Sequence, residues 1–564
     1  MNQTVIAKKI GLVLEQKDKT PILIAGPAHV KAFTYDPTFM KNFGVLLQWT
    51  SRSGNAHERV FKMRDILADS GKNMLQSLAD TGLFIHHKAK YWHFILDYLM
   101  SENPEKTVVT VEKTGWYFGQ FVAPNWVAGF GEQEVMYNGD SPEQLNSNGT
   151  FVEWQDNVAT LCQDNALMIF TLCAAFAAPL LDKLDWDSFI IHFLGSSKNG
   201  KTTLIRLSAS VYSDYQYRDT WSSTANGLAG RAKDRNCMLV LLDELHQAEP
   251  EDVSKVIYQI GNGVSKLRGN KDGGPRAQDY WSLIGLSTGE VSLEQKLAEA
   301  NKKPQAGQLM RFFQIPLFQA FGVFENLHGS ASPKEFAERI AKVTKQQFGT
   351  ALQPFLNQVS AMPDLEQTIT AQIKEISQIW IENLQINPSN QVAFAADRFS
   401  FLAAVGELAI DLGAIPWEKG SAQFEIGKVF EAWLANYSEE FDYEERHIRE
   451  QLRKFLPKSQ YSIKPQGAET NVGWWKLNSH ELSWHVRRDA FKTGLKLEFD
   501  HQVIQAAMIL KKQGWLQTNE PSRGTFKSSI SGKAERHFKL LPNQIAKDLN
   551  INIDFSRFQQ GGEA

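Results

Sequence analysis

The stretch FLGSSKNGKTTLIRL, Phe193 to Leu207, carries the spacing G-x-x-x-x-G-K-T from Gly195 to Thr202. The apolar run FIIHFL leads into it and a run with helical character leads out, so the motif joins a strand to a helix. Its glycines let backbone N–H groups converge on one point, and the helix that follows offers its positive N-terminus to the same point. Both features favour phosphate. Gly195, Ser196, Ser197, Lys198, Asn199, Gly200, Lys201, Thr202 and Thr203 are therefore expected to cradle a nucleotide, with ATP and Mg²⁺ as cofactors. Lys201 is placed to reach the β and γ phosphates, and the Thr202 hydroxyl to ligate the metal.

Further along, MLVLLDE (Met238 to Glu244) reads as a buried strand ending in two acids. Asp243 would complete the Mg²⁺ shell, usually through water, and Glu244 would orient and polarise the attacking water. An acidic strand end is common by itself; behind a phosphate loop the pair points to hydrolysis. The next apolar strand, WSLIGLST, ends in Ser287 and Thr288, with Glu290 just beyond. AAA+ ATPases place a polar residue that senses the γ-phosphate or the water at the end of this strand, and either hydroxyl suits that role. An ordinary polar strand end is the alternative. In AGQLMRFFQIPL, Arg311 stands just before a strand, a position that resembles the arginine finger reaching a neighbouring subunit's nucleotide. A solvated or ion-paired arginine is the competing reading. Arg398, on the helical run AADRFSFLAA, is a candidate second sensor acting in cis.

Working outward, the alternation of strands and helices over residues 151–325 implies a parallel sheet with helices on both faces. Within it, one buried helix is expected over about 158–181. Residues 1–150 mix strands and helices: FGVLLQWTSRSGNAHERVFKM reads as a hairpin turning at Ser53-Gly54. Trp116 and Tyr117 in this region would suit base stacking, although buried strand aromatics are the more ordinary reading. Residues 326–420 look helical and are expected to form a lid, with Gly413 as a helix stop. Residues 421–564 end in a helix, a strand, a Pro-Ser-Arg-Gly tip and a second strand, the pattern of a winged helix. The fold class is thus α/β, with an AAA+ phosphate-loop core, an N-terminal α/β accessory domain, a helical lid and a winged-helix-like C-terminal domain.

Composition sets limits on this picture. With 564 residues, 43% apolar and 22% charged, the chain is long enough for about three to four ordinary folded domains. The net charge of −3 means that any nucleic-acid surface must be a local basic patch. Cys162, Cys173 and Cys237 lie in apolar stretches without metal-ligand spacing and read as small buried hydrophobes, in keeping with a reducing cytoplasm. The N-terminus lacks the apolar core of a signal peptide. The run ALMIFTLCAAFAAPLL is short of the ~20 residues that a spanning helix needs, so no membrane is expected.

Two basic segments stand out. GNGVSKLRGNKDGGPRAQDYW, just before the sensor strand, carries Lys266, Arg268 and Lys271 among glycines. An insert there resembles the pore hairpin of ring helicases, where lysine and arginine track phosphates without reading bases. A solvated loop is the alternative. In the winged-helix segment Lys511, Lys512 and Arg523 are candidates for DNA contact, although winged helices also bind proteins.

With these residues in place, nearly the whole chain resembles the bacterial family called "domain of unknown function 927". The resemblance rests on FGVLLQWTSRSGNAHERVFKM, LADTGLFI, TGWYFGQFVAPN, FLGSSKNGKTT, LLDELHQ, LSTGE, AGQLMRFFQIP and FSFLAAVGELA. Members of that family look like AAA+ helicases of the minichromosome-maintenance type, some of them carried on mobile elements such as staphylococcal cassettes. The resemblance implies an ATP-dependent helicase, a homohexameric ring moving on single-stranded or forked DNA in element replication, alongside a primase or polymerase. Two other classes compete: a nucleotide-switched DNA loader or regulator that unwinds nothing, and a protein-remodelling or defence ATPase. The basic, glycine-rich insert favours nucleic acid over protein.

Overall fold

The structure, a computed structural model, describes residues 3–37, 40–139, 141, 145–267, 278–384, 388, 390–437, 443–465, 471–478, 481–497, 500–520, 525–530 and 533–559. The chain divides into two compact units, Met1–Asn436 and Tyr437–Ala564.

The first unit opens as sheet, with the period-two burial of a strand covered on one face clearest in Ala28–Asp36. Strands β1 (Gln3–Lys8), β2 (Gly11–Gln16) and β3 (Lys19–Ala25) form an antiparallel sheet in that order. Next, β4 (Ala28–Asp36) pairs antiparallel with β5 (Lys41–Thr50), and β5 with β6 (Ala56–Lys62). The turn between β5 and β6 is the hairpin expected at Ser53-Gly54, where Gly54 takes a φ of 86° that costs glycine little. Helices α1 (Met63–Ala68), α2 (Lys72–Asp80) and α3 (Trp92–Ser101) follow. They bury Met74, Leu78, Ile95 and Leu99 in one core with Leu14, Leu47 and Trp49. After them come β7 (Thr107–Val111), a small antiparallel sheet of β8 (Gly115–Tyr117), β9 (Gln120–Val122) and β10 (Val127–Ala128), and β11 (Val135–Tyr137). Strands β7 and β11 extend the earlier sheet in the order β11-β7-β4-β5-β6. Trp116 is half-buried: its indole N–H donates to the Pro179 carbonyl at 2.7 Å, and Lys183 sits 4.4 Å from its ring. Its ring is already engaged within the fold.

The segment read as one buried helix over about 158–181 is broken. α4 (Phe151–Trp154) opens on a capping box between Thr150 and Glu153 and passes into a π-helical turn, Gln155–Ala159. The chain then breaks before α5 (Ala166–Ala177). The break is set by a distant contact: the buried Asn165 amide accepts the N–H groups of Glu325 (2.7 Å) and Asn326 (3.1 Å). All twelve residues of α5 are buried, as befits a helix apolar on every side.

The central sheet contains β12 (Phe189–Leu194), β13 (Asp219–Thr220), β14 (Leu239–Asp243), β15 (Ile284–Gly289) and β16 (Phe312–Pro316). All pairings are parallel, in the order β13-β14-β15-β12-β16. Their near-continuous burial matches a sheet covered on both faces. Helix α6 (Lys201–Tyr212) follows the phosphate loop and packs with α5. Helices α7 (Ala225–Asp234), α8 (Pro250–Asn262) and α9 (Leu293–Ala298) share a core with Ile190, Val240, Leu242 and Phe312 of the sheet. A short α10 (Ala306–Leu309) precedes β16.

Helices α11 (Pro333–Gln346), α12 (Leu352–Ser360), α13 (Leu365–Leu384), α14 (Asn390–Asp411) and α15 (Ser421–Asn436) complete the first unit. Helices α14 and α15 pack on α5, and Gly413, at φ 66°, follows the end of α14 as expected. Cys162, Cys173 and Cys237 are buried and free of disulfides.

The second unit contains α16 (Tyr443–Ser459), β17 (Lys464–Pro465), β18 (Gly473–Asn478), β19 (Glu481–Arg487), α17 (Arg488–Gly494) and α18 (Asp500–Lys512). It continues with β20 (Leu516–Gln517), β21 (Phe526–Ile530), β22 (Lys533–Leu540), α19 (Pro542–Leu549) and a short α20 (Ser556–Gln559). Strand β22 pairs antiparallel with β19, β20 and β21, over a core that includes Trp484, Phe491, Trp515 and Phe538. Among the described residues no helix is long and apolar enough to cross a membrane.

Candidate active site

The strand order places the site. β15 stands between β12, which carries the phosphate loop, and β14, which carries the two acids. Parallel register sets Leu242 beside Ser287 and His192 beside Ser287, so Asp243 and Thr288 come level at the strand ends. Around these ends lies a cleft of about 680 Å³, within the ~300–1,000 Å³ usual for small-molecule sites. Ser197 to Thr203, Asp243, Glu244, Thr288 and Glu290 line it on the sheet side.

The loop folds as the motif requires. Gly200 sits at φ 86°, and a Cβ there would come 2.4 Å from Val323, so only glycine fits. Gly195 is equally tight against Leu317 and lies just behind the lining residues. The Lys201 ammonium donates to the carbonyls of Gly195 and Ser196, both at 2.7 Å. Partial burial holds this ammonium below the ordinary lysine range, against the opposing pull of Glu290, Asp243 and Glu244. A cation spanning its own loop and facing three carboxylates sits where a polyphosphate would be gripped.

Thr288 organises the acids. Its hydroxyl donates to Asp243 Oδ1 at 2.5 Å and accepts the N–H of Glu244 at 3.1 Å. Glu244 itself takes a left-handed backbone, φ 64°, which turns it out of the strand, and the Gln247 amide donates to its carboxylate. Ser287, the other sensor candidate, points to the opposite face. Burial pushes the His192 imidazole down to about 3, so the ring is neutral at ordinary pH. Its Nε2–H then donates to the Val291 carbonyl (3.2 Å), and its Nδ1 accepts from the Ser287 hydroxyl (2.8 Å). The Trp221 indole donates to the same Ser287 oxygen at 2.9 Å, which leaves that hydroxyl fully engaged in the core. Strand alternation explains the split: adjacent residues face opposite sides. Replacing Thr288 with valine should lower kcat about 10- to 100-fold while leaving KM for ATP little changed. Steady-state kinetics on the folded variant would check this.

The donor set fits the metal that the motif implies. Asp243 is 8% exposed, and one carboxylate plus the Thr202 hydroxyl beside a phosphate cradle suits a hard cation that keeps several waters.

Two arginines lie away from this cleft. Arg311 directly precedes β16, and its carbonyl accepts the N–H of Ile190 at 2.7 Å. It therefore sits at the opposite end of the six-residue β12 from the loop, roughly 20 Å away. Its guanidinium donates to the Gly307 carbonyl at 3.0 Å, and its aliphatic stem packs against Gly261. Arg398 is buried over the Trp186 ring at 4.1 Å and near Phe394 at 4.5 Å, beside Phe189 at the same far end of β12. Burial lowers its guanidinium to about 10. Its aromatic partners thus hold Arg398 at the far end of β12, away from the cleft that the cis-sensor expectation places it in.

The sequence reading passed over Arg206, which lines the cleft from α6 and stacks on Tyr215 at 3.6 Å, with Arg218 at 4.0 Å on the same ring. Its i+4 spacing from Thr202 on the loop helix is the signal that would have found it. The wall opposite the sheet, from Phe321 to Ala341, carries no motif.

Of the candidate DNA contacts, Lys266 is exposed at the base of the basic insert, where Val264 bridges Tyr280 and Ser265 N–H donates to the Asp279 carbonyl at 2.8 Å. The ends of the insert thus pair antiparallel. Arg268 and Lys271 lie outside the described residues, as does Arg523. Lys511 and Lys512 are exposed in the last turn of α18, where lysine also suits the helix dipole.

A parallel sheet with a phosphate loop, a paired acid and a hydroxyl at adjoining strand ends defines an α/β chain of the phosphate-loop class. Residues 7–280 match the family model described as "Domain of unknown function (DUF927)". Over its whole length the fold is similar to a solved structure described as "SCCmec type IV Cch - active helicase". The TM-score is 0.60 at 17% identity, over 97% of this chain and 99% of that one. At that identity the likeness is one of fold. A match to NtrX from Brucella abortus in complex with ADP, at 12% identity, covers 53% of each chain; its TM-score of 0.18 carries no argument. Comparison with curated proteins gives no match.

Proposed function

We propose that this protein is an ATP-dependent DNA helicase or translocase. The observation that carries the reading is the convergence of Lys201, Thr202, Asp243, Glu244 and Thr288 on one cleft. In it Lys201 and the loop N–H groups hold the β and γ phosphates, and Thr202 and Asp243 hold Mg²⁺, which when bound neutralises developing phosphate charge. Glu244 orients the attacking water. β15 lying between β12 and β14 supports an AAA+ core over 151–325, with 1–150 as accessory domain and 326–420 as lid. Of residues 421–564, α15 packs within the first unit, and the second unit runs α16, β17, β18, β19, α17, α18, β20, β21, β22, α19, α20; the succession α17, α18, β21, β22 supports a winged-helix-like reading there. Arg311, too far from its own cleft to act there, is assigned to the nucleotide of a neighbouring copy, which calls for a ring, a homohexamer in this reading.

The antiparallel bridge between Val264 and Tyr280 supports reading the insert as a pore element, in which Lys266, Arg268 and Lys271 follow a single strand's phosphates, with Lys511, Lys512 and Arg523 as secondary contacts. The helicase from a mobile element that shares the fold makes element replication in a reducing cytoplasm the setting we favour. Single-stranded DNA should stimulate ATPase turnover of the wild type, and a Lys266→Ala/Arg268→Ala variant should lose the stimulation while keeping its basal rate. Basal hydrolysis indifferent to DNA in the wild type would favour the remodelling class instead.

A further inference from the structure

Among the described residues, the backbone N–H groups of the cleft wall from Ala320 to Val323 are all engaged and leave none to read a base edge. This wall is the segment after β16, which is locked onto the loop: Val323 N–H donates to the Asn199 carbonyl at 3.1 Å, and Gly322 packs directly on Asn199. The locking consumes the donors that could otherwise recognise a base. Ala320 N–H goes to Glu325, Phe321 N–H to the Phe324 carbonyl, and Gly322 N–H to the Gln319 carbonyl. The Asn199 side-chain amide donates one of its N–H groups to the Ser196 hydroxyl at 2.7 Å. On the same wall α11, whose Phe336 packs on Phe324 with ring centroids 5.0 Å apart, lines the cleft with the small side chains of Ala337 and Ala341. The polar side chains on that helix face, Lys334 and Glu338, are 85% and 69% exposed, and their ion pair is open at 3.8 Å. What remains for a planar ring is Phe321, which is 45% exposed although its neighbour Phe324 is buried.

We infer that this cleft holds the base of a nucleoside triphosphate by stacking on Phe321 and does not read its edge, so that purine triphosphates of either kind are bound and hydrolysed. This deepens the proposed function and rests on it. A site that hydrogen-bonds a substrate group rejects analogues by ~10⁴–10⁵-fold. A stacking slot is tolerant, because every base has a π-face. Phe321 sets the affinity for the nucleoside half, and the phosphate grip stays with the loop.

The test is displacement of a fluorescent ATP analogue from the full chain by ATP, GTP and inorganic tripolyphosphate. The chains compared are wild type, Phe321→Ala, Phe321→Trp and Lys201→Ala. ATP and GTP should compete within about 10-fold of each other. Phe321→Ala should weaken both by about 5- to 20-fold, the lower part of the range for base–aromatic stacking, and leave tripolyphosphate competition unchanged. Phe321→Trp should restore both. Because the Phe321 side chain is largely outside the core, its loss should leave the fold intact, and unchanged tripolyphosphate binding would confirm that. ATP binding more than about 100-fold tighter than GTP would overturn the inference, as would an unchanged ATP affinity in Phe321→Ala. If the wild type binds the analogue no better than Lys201→Ala, the proposed function itself fails, which is a different result.

Discussion

Glu244→Gln is expected to bind ATP as the wild type does and to lose turnover by about 100- to 10,000-fold, the range for removing a positioned base. The substitution keeps the shape of the side chain and its reach to Gln247, and Thr288 still holds the residue through its backbone N–H. What is lost is the negative charge that polarises water. Asp243, which receives the Thr288 hydroxyl directly, is untouched, so metal and phosphate binding should persist. Binding of a fluorescent nucleotide and phosphate release, measured on the same preparation, separate the two. Full-rate phosphate release from Glu244→Gln would remove Glu244 from the water-orienting role and leave the cleft as a binding site only.

Arg311→Ala should lower turnover by about 1,000- to 100,000-fold, the worth of an arginine that stabilises transferring phosphate from a neighbouring subunit. A local structural effect is a reasonable worry, since Arg311 also bonds the Gly307 carbonyl. Mixing resolves it. Lys201→Ala has an intact arginine and a dead loop; Arg311→Ala has the reverse. In a 1:1 mixed ring, about a quarter of the shared sites should combine both intact halves, and activity should return to that order. A cis or purely structural role gives no return in rings verified to be mixed. The geometry favours the shared site because Arg311 and the loop stand at opposite ends of the central strands, and no side chain bridges that length.

How much of this was legible beforehand follows from the range of the forces involved. The phosphate loop, the acid pair and the strands carrying them are encoded locally, by glycines where the backbone must turn and by apolar runs that have to be covered on both faces. The hairpin at Ser53-Gly54 and the stop at Gly413 belong with them, since each depends on a backbone angle that one residue type tolerates best. Other features turn on which residues meet across the fold. Ser287 and Thr288 are equal candidates in one dimension; register against His192 and Leu242 sends one into the core and the other to the acids. The polar cluster Gln163-Asp164-Asn165 hints at a break before α5, but what fixes it is Asn165 meeting Glu325 and Asn326, some 160 positions later. Arg398 looks available on its helix and is confined by Trp186, far away in sequence. The Phe321 wall has no motif at all: it exists because the chain after β16 folds back onto the loop, spending its N–H groups on its own carbonyls and on Asn199 and Glu325. Local backbone chemistry thus names the phosphate site, while side-chain orientation and the nucleoside half of the cleft wait on long-range packing, where a partner's position matters more than a residue's type.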